Sequence, residues 1–335
     1  MEKLAIVVPC YNEEEVLKIA SEALRGVLDD LIHKGKIAED SFILFVNDGS
    51  KDGTYRKLQI LHEKYSNILV VNFSRNFGKE SAIYAGLKYA TGTYISIIDA
   101  DLQQDPEIAR NMVKILDEKP EVDVVAAYQA QRHEGKLMGW CKDRFYKFIN
   151  RLSEVDLREN ASDFRTFRSN VQEALLGMPE YFRFSKGLFS WVGFETEYIP
   201  YEAAERFAGT TKWNFAKLFK YAMEGIVSFS TVPLQIATFC GAIVSAIAII
   251  YGIIIIAQTL ITGIDVPGYA TTIVVVLFLG GVQLLVMGIL GEYLAKTYVQ
   301  GKHRPVYIAK NVLEKETVDI DEESVQKHEK NVVKK

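Results

Sequence analysis

Two long stretches of the chain carry no charge. Between Glu224 and Asp265 lie 40 residues without an Asp, Glu, Lys or Arg, and between Asp265 and Glu292 another 26. As helices rising 1.5 Å per residue, 233–262 would measure roughly 45 Å and 270–291 roughly 33 Å, against a hydrocarbon core of about 30 Å. Both can cross a bilayer. The alternative, two helices buried in a large soluble core, fits poorly because soluble helices of this length carry charge on one face. Lys212, Lys217 and Lys220 precede the first stretch, Lys296, Lys302 and Arg304 follow the second, and the connecting loop holds only Asp265. The positive-inside rule then puts both termini on the cytoplasmic side of the cell membrane. Glycines at 280, 281, 288 and 291 would let spans pack closely, which leaves room for a homo-oligomer.

This reading divides the chain into a cytoplasmic domain over 1–212, an amphipathic interface helix over 213–231, transmembrane helices over 232–262 and 270–295 joined by an extracytoplasmic loop over 263–269, and a charged cytoplasmic tail over 296–335. From Val306 onward the tail has 30 residues, 13 of them charged and of both signs, so disorder or a frayed helix is expected there. The net charge of −4 speaks against a nucleic-acid partner, which calls for a basic excess. The three cysteines form no CxxC pair, so neither structural zinc nor a disulfide scaffold is implied.

The first 130 residues alternate apolar runs with amphipathic stretches. Strands are predicted at Leu4 to Pro9, Phe42 to Asn47, Ile68 to Phe73, Tyr94 to Asp99 and Val122 to Ala127, with helices near 14–33, 53–65, 78–91 and 106–118. Near-continuous Val/Ile strands between helices imply an α/β fold with a parallel sheet covered on both faces. In such sheets ligands bind beyond the carboxyl ends of the strands. Four of those ends carry polar clusters: Tyr11-Asn12-Glu13, Asn47-Asp48-Gly49-Ser50, Ser74-Arg75-Asn76 and Asp99-Ala100-Asp101. No GxGxxG occurs, and Gly78-Lys79-Glu80-Ser81 only imitates a phosphate loop, lacking the upstream Gly and the hydroxyl after Lys.

Asp99 and Asp101 are the sharpest feature. In an extended segment residues i and i+2 point to the same side, so the pair could hold one hard divalent cation, Mg²⁺ or Mn²⁺, with an amide oxygen lent by Gln103. Such a cation would bridge a diphosphate and offset its charge as it leaves. Asp48 could accept from the N–H of a uracil or guanine base. The alternative of helix capping suits Ser50 and Asp52 better than Asp48.

With these residues in place the chain resembles glycosyltransferase family 2, in its polyprenyl-phosphate branch. The resemblance rests on Val8 to Glu14 (VPCYNEE), Val46 to Thr54 (VNDGSKDGT), Phe73 to Glu80 (FSRNFGKE), Asp99 to Gln103 (DADLQ), Ser162 to Arg165 (SDFR), Arg206 to Lys212, Phe229 to Leu234, and Gly291 to Leu294 (GEYL). It implies a GT-A, Rossmann-like nucleotide-sugar domain. By the same resemblance Pro9, Tyr11, Glu13 and Asp48 hold the base and ribose, with Ala100 and Arg132 also on the nucleotide sugar. Asp99, Asp101 and Gln103 hold Mg²⁺ or Mn²⁺. Arg206 and Lys212 grip phosphate, and Asp163 matches an active-site aspartate sometimes assigned as base. Asp101, Asp163, Arg206 and Lys212 are the catalytic set. Thr211 departs mildly from the small residue, such as Ser, usual before that lysine.

The implied activity is metal-dependent, inverting transfer of a hexose or N-acetylhexosamine from a nucleotide sugar, UDP-glucose or UDP-GlcNAc, to polyprenyl (undecaprenyl) phosphate at the cytoplasmic membrane face. The product would be a β-linked lipid-phosphate sugar for cell-envelope glycosylation, handed on to a flippase and a further glycosyltransferase. An acceptor phosphate whose second pKa is about 6 is already mostly ionised, so it needs no strong base. Two other readings compete. A processive polysaccharide synthase would carry a Gln-x-x-Arg-Trp motif, and no Arg-Trp occurs. A membrane nucleotide-sugar-binding subunit would keep the metal site without turnover.

Overall fold

The computed structural model describes residues 1–130, 158, 161–202, 230–262 and 268–314. Four parallel strands form its centre: β1 (Leu4–Cys10), β2 (Phe42–Asn47), β3 (Ile68–Phe73) and β4 (Tyr94–Ile97). Every residue of β1, β2 and β4 is buried. Apolar runs without alternation form strands only where both faces are covered. Helices α1 (Leu17–His33), α2 (Thr54–Lys64), α3 (Lys79–Tyr89) and α4 (Ile108–Glu118) supply that cover. One core layer joins Leu24, Leu28, Leu58 and Met112 to Ile6 and Phe45; the other sets Ile83 and Leu87 of α3 against Val7, Leu44 and Ile95.

The sheet continues through β5 (Val124–Gln129), β6 (Ala161–Arg168), β7 (Thr196–Tyr201) and β8 (Ala309–Leu313), in the order β7-β5-β6-β4-β1-β2-β3-β8. Short helices α5 (Ser169–Leu176) and α6 (Ser185–Trp191) lie between β6 and β7. Strand β6 runs antiparallel between β4 and β5. Strand β4 was expected to reach Asp99 and stops at Ile97, after which Ile98 N–H still donates to Val7 O at 3.0 Å. Asp99 to Asp101 therefore lies in a turn, where the alternating side-chain geometry of a strand does not apply.

The tail departs from expectation. Residues 309–313 are neither disordered nor helical; they pair antiparallel with β3, and Ser74 N–H donates to Ile308 O at 3.0 Å. Tyr307 anchors the junction by stacking on Phe73, ring centroids 5.0 Å apart. Lys310 is the one charge in this edge strand, where a lysine discourages pairing with another chain.

Helices α7 (Val232–Thr262) and α8 (Tyr269–Gln300) follow the domain. Both are long and apolar enough to cross a membrane, over Val232–Ile255 and Phe278–Gln300, and neither window is buried in the molecule. Phe239, Ile247 and Leu284 are 67%, 61% and 72% exposed, which excludes the buried soluble pair. Helix α8 runs on to Gln300 rather than ending near 295. The interface helix expected over 213–231 lies almost wholly outside the described residues.

Two glycines mark close approaches. A Cβ on Gly92 would stand 2.7 Å from Lys3 O, so that glycine serves the contact between α3's exit and the residue before β1. A Cβ on Gly86 of α3 would stand 2.1 Å from Val7 Cγ1. Val7 is a buried, χ1-stiff residue that cannot swing aside. Gly86→Ala gains about 1 kcal/mol of helix propensity but overpacks a core at about 1–3 kcal/mol. The net expectation is a melting temperature lower by a few degrees for the detergent-solubilised protein, partly restored by adding Val7→Ala. An unchanged or raised melting point would contradict this packing.

Candidate active site

The loops after β1 and β2 are laced together by short polar contacts. Asn12 N–H donates to Ser50 Oγ at 2.9 Å, and Lys51 N–H donates back to Asn12 Oδ1 at 2.9 Å. Gly53 N–H donates to Glu14 Oε2 at 2.8 Å, and Glu13 N–H to Thr54 Oγ1 at 2.9 Å. Asn12 takes φ +56°, which asparagine tolerates. Gly49 takes φ +61°, and a Cβ there would lie 2.2 Å from the Arg75 carbonyl carbon, so only glycine fits between the second and third loops. Pro9 is buried within β1, Tyr11 is exposed beyond it, and Glu13 is half-buried.

Asp48 is buried with both carboxylate oxygens engaged. Phe77 N–H donates to Oδ1 at 2.6 Å and Gly78 N–H to Oδ2 at 2.9 Å. Burial pushes the Asp48 carboxyl up, and these two N–H donors partly offset the rise. Asp48 thus fastens the turn that opens α3, while at the start of α2 Asp52 Oδ1 accepts from Thr54 N–H at 3.0 Å, the capping place expected for it. Gly78, at φ +99°, completes the turn and delivers Lys79.

Lys79 is the centre of the site. Its Nζ lies 2.6 Å from Asp99 Oδ1 and 2.7 Å from Asp163 Oδ2. The antiparallel register pairs Ile97 with Arg165, so Asp163 comes abreast of Asp99 just past the end of β4. Enclosure by protein works against the Lys79 charge, yet Asp99 and Asp163 outweigh it and hold the ammonium well above the ordinary lysine range. Burial likewise opposes ionisation of Asp163, but Lys79 and Lys186 hold it well below the usual carboxylate range. Lys186 donates to Ala161 O at 2.8 Å, and its own charge is disfavoured by burial. The buried Arg165 donates to Ser162 O at 2.8 Å, with its guanidinium 4.1 Å from the centre of the Phe189 ring. Glu80, pushed up by burial and by Asp163, accepts from Ser185 N–H at 2.9 Å and ties α3 to α6.

Beside this cluster the acidic turn is held under strain. Leu102 takes φ +52°, a conformation costing a bulky residue about 1–3 kcal/mol. Asp101 Oδ1 accepts from Gln103 N–H at 3.2 Å, while Ala100 sends its methyl into the core and leaves only backbone for a ligand. Among the described residues no group of three His, Cys, Asp or Glu side chains could hold a metal. Asp99, Asp101 and the Gln103 amide still offer the hard oxygen donors that suit Mg²⁺ or Mn²⁺. Such ions are often bound through one or two carboxylates, with phosphates completing the shell. In this structure the Lys79 ammonium rests on Asp99.

Of the residues expected in the site, Tyr11, Glu13, Asp48, Asp99, Asp101, Gln103 and Asp163 lie at the carboxyl edge of the sheet. Arg132, Arg206 and Lys212 lie outside the described residues. Sequence reasoning missed Lys79, Lys186 and Arg165 as site residues. Lys79 was visible in Gly78-Lys79-Glu80-Ser81, a failed phosphate loop, and within the segment Phe73 to Glu80, but neither gave it a role.

The profile described as Glycosyl transferase family 2 matches residues 5–176, and that described as GtrB C-terminal hairpin matches residues 232–297. An uncharacterized glycosyltransferase of Synechocystis sp. is 41% identical over 92% of this chain and 95% of its own. A prophage bactoprenol glucosyl transferase homolog of Escherichia coli is 41% identical over 92% and 99%. The bactoprenol glucosyl transferase of Shigella phage SfV is 39% identical over 93% and 100%. Among solved structures, a mannosyltransferase from Pyrobaculum calidifontis in complex with GDP-Man and Mn²⁺ aligns with 88% of this chain and 87% of that one, at 17% identity and a TM-score of 0.43.

Lys79→Met would leave Asp99 and Asp163 facing each other without their shared cation. Removing one partner of a buried pair costs about 3–5 kcal/mol, and because Lys79 keeps 44% of its side-chain surface in water we expect about 1–3 kcal/mol. The Asp163 pKa is lowered on folding, so its contribution is present above the unfolded value near 4 and fades as pH falls through the folded one. The Lys79 pKa is raised, so its contribution is present below the unfolded value near 10.4 and fades above it. In buffer with chelator, the melting-temperature gap between wild type and variant should be flat from about pH 5 to 9 and narrow below about pH 4. A gap that does not change with pH would mean that Lys79 contributes no charge to stability.

Proposed function

The chain belongs to glycosyl transferase family 2, and from that premise we propose that it transfers glucose from UDP-glucose to polyprenyl phosphate at the inner face of a membrane. The observation that carries the reading is the cluster of Asp99, Lys79 and Asp163 at the carboxyl edge of the sheet, in a chain that continues into two unburied apolar helices. A lipid phosphate stays in the bilayer, so an enzyme serving it gains from being anchored there. The names of the relatives favour glucose as the sugar and a polyprenyl lipid as the acceptor.

The residues take distinct tasks. Tyr11, Glu13 and the β1–β2 loop lattice form the floor for base and ribose, and Asp48 holds that floor to α3. Asp99, Asp101 and Gln103 would hold Mg²⁺ or Mn²⁺, which when bound supplies Lewis-acid neutralisation of the diphosphate. Lys79 keeps Asp163 ionised and aligns it with Asp99, and Arg132, Arg206 and Lys212 are assigned to phosphate. A phosphate oxygen of the acceptor attacks the anomeric carbon as the bond to the diphosphate oxygen breaks, and UDP leaves with that electron pair. One displacement inverts the centre, giving a β-linked product from an α-linked donor. The acceptor oxygen is already ionised near neutral pH, so no proton has to move. A strongly acidic Asp163, which suits positioning better than proton abstraction, fits that chemistry.

Asp99→Asn should lower synthesis of lipid-linked glucose by about 100-fold or more, with membrane insertion unchanged. Membranes incubated with UDP-glucose or UDP-GlcNAc, then extracted for lipid product, provide the measurement. Undiminished synthesis in the variant would remove Asp99 from the site, preference for UDP-GlcNAc would replace the donor, and an α-linked product would overturn single displacement.

A further inference from the structure

The C-terminal end of α8 borders a cavity of about 500 Å³ lined by none of the residues assigned to transfer. Its walls include Tyr84 and Lys88 of α3, Tyr181, and His303, Arg304 and Tyr307 beyond α8. No Asp or Glu lines it among the described residues, and there none of Lys88, His303 and Arg304 forms an ion pair. Three cationic or protonatable side chains around a concave site with no counter-charge call for an anion.

The walls are fixed rather than improvised. Tyr307 stacks on Phe73 and meets Tyr84 edge-on at 6.4 Å. Tyr181 N–H donates to Gln300 Oε1 at 2.8 Å, joining the domain to the last turn of α8. His303, at φ +48°, turns the chain after the helix so that Arg304 and Tyr307 reach the same hollow as α3.

Position narrows the ligand further. Leu290, Leu294 and Tyr298 are 52%, 69% and 64% exposed along α8, which also carries Glu292 and Lys296, and the cavity begins at Val299 in the helix's last turn. A ligand there sits at the depth of lipid headgroups, with tyrosines placed as interfacial residues usually are. Its volume falls in the range of small-molecule sites.

We propose that this cavity binds the phosphodiester headgroup of an anionic membrane phospholipid, a lipid site separate from that of the acceptor. The lipid phosphate accepts from Lys88 and Arg304, with the His303 ring beside them, and the tyrosine hydroxyls take the headgroup alcohol. Bound there, the lipid fastens α8 to α3, whose first residue is Lys79. The proposal rests on the reading of α7 and α8 as membrane spans.

Native mass spectrometry of the detergent-purified full chain, titrated with phosphatidylglycerol or phosphatidylcholine, tests it. Wild type should retain phosphatidylglycerol at least about 5-fold in preference, and Lys88→Gln/Arg304→Gln should lose that preference. Arg304→Gln alone, less able to disturb folding, should lower it about 2-fold or more. Equal binding of the two lipids, or undiminished preference in the variants, would overturn the site. So would displacement of phosphatidylglycerol by 10 mM inorganic phosphate, which would make it a free-phosphate site, or by equimolar polyprenyl phosphate, which would make it part of the acceptor's. Carbonate extraction of membranes separates the two failures: release of wild type into the soluble fraction would sink the membrane reading, whereas retention without lipid preference would sink only the cavity's assignment.

Discussion

Two carboxylates at one edge of a sheet repel each other unless a cation lies between them, and here Lys79 takes that place. Asp99 and Asp163 are 64 residues apart in the chain and come abreast because β6 inserts antiparallel beside β4. Lys79 reaches both because Asp48, from β2's end, captures the two N–H groups just ahead of it. Three strand ends and the start of one helix are therefore fixed by a single ammonium and a single carboxylate.

The central fold was legible in the sequence for a physical reason. Strands covered on both faces must be apolar throughout, so β1, β2 and β3 stand out as unbroken runs, and their bounds fall within a residue of those observed. Strand β6 was not legible, because Asp163, Arg165 and Arg168 break its apolar pattern. Arg168 is satisfied by the carbonyls of Val122 and Leu116, and Arg165 by that of Ser162, partners that no local rule discloses. Charge in the tail pointed to disorder, since composition does not register a vacant sheet edge waiting for a partner.

The site divides in the same way. Asp99 and Asp101 could be read from their spacing, although the geometric argument for them assumed a strand where the chain makes a turn strained at Leu102. Lys79 could not be read, because its meaning depends on Asp163, which no sequence distance connects to it. A lysine that fails one familiar motif still has its charge, and the fold decides what that charge faces.

The placement of β8 has a consequence for how the molecule is made. Strand β3 finds its outer neighbour only in residues 309–313, which follow both apolar helices in the chain. During synthesis the amino-terminal domain can collapse early, yet one sheet edge stays open until the hairpin of α7 and α8 has been produced. Closing that edge fixes the domain at two points on either side of the hairpin, like a clasp. The order of events in biosynthesis is thereby written into the topology: the apolar helices come first, and the sheet is finished last.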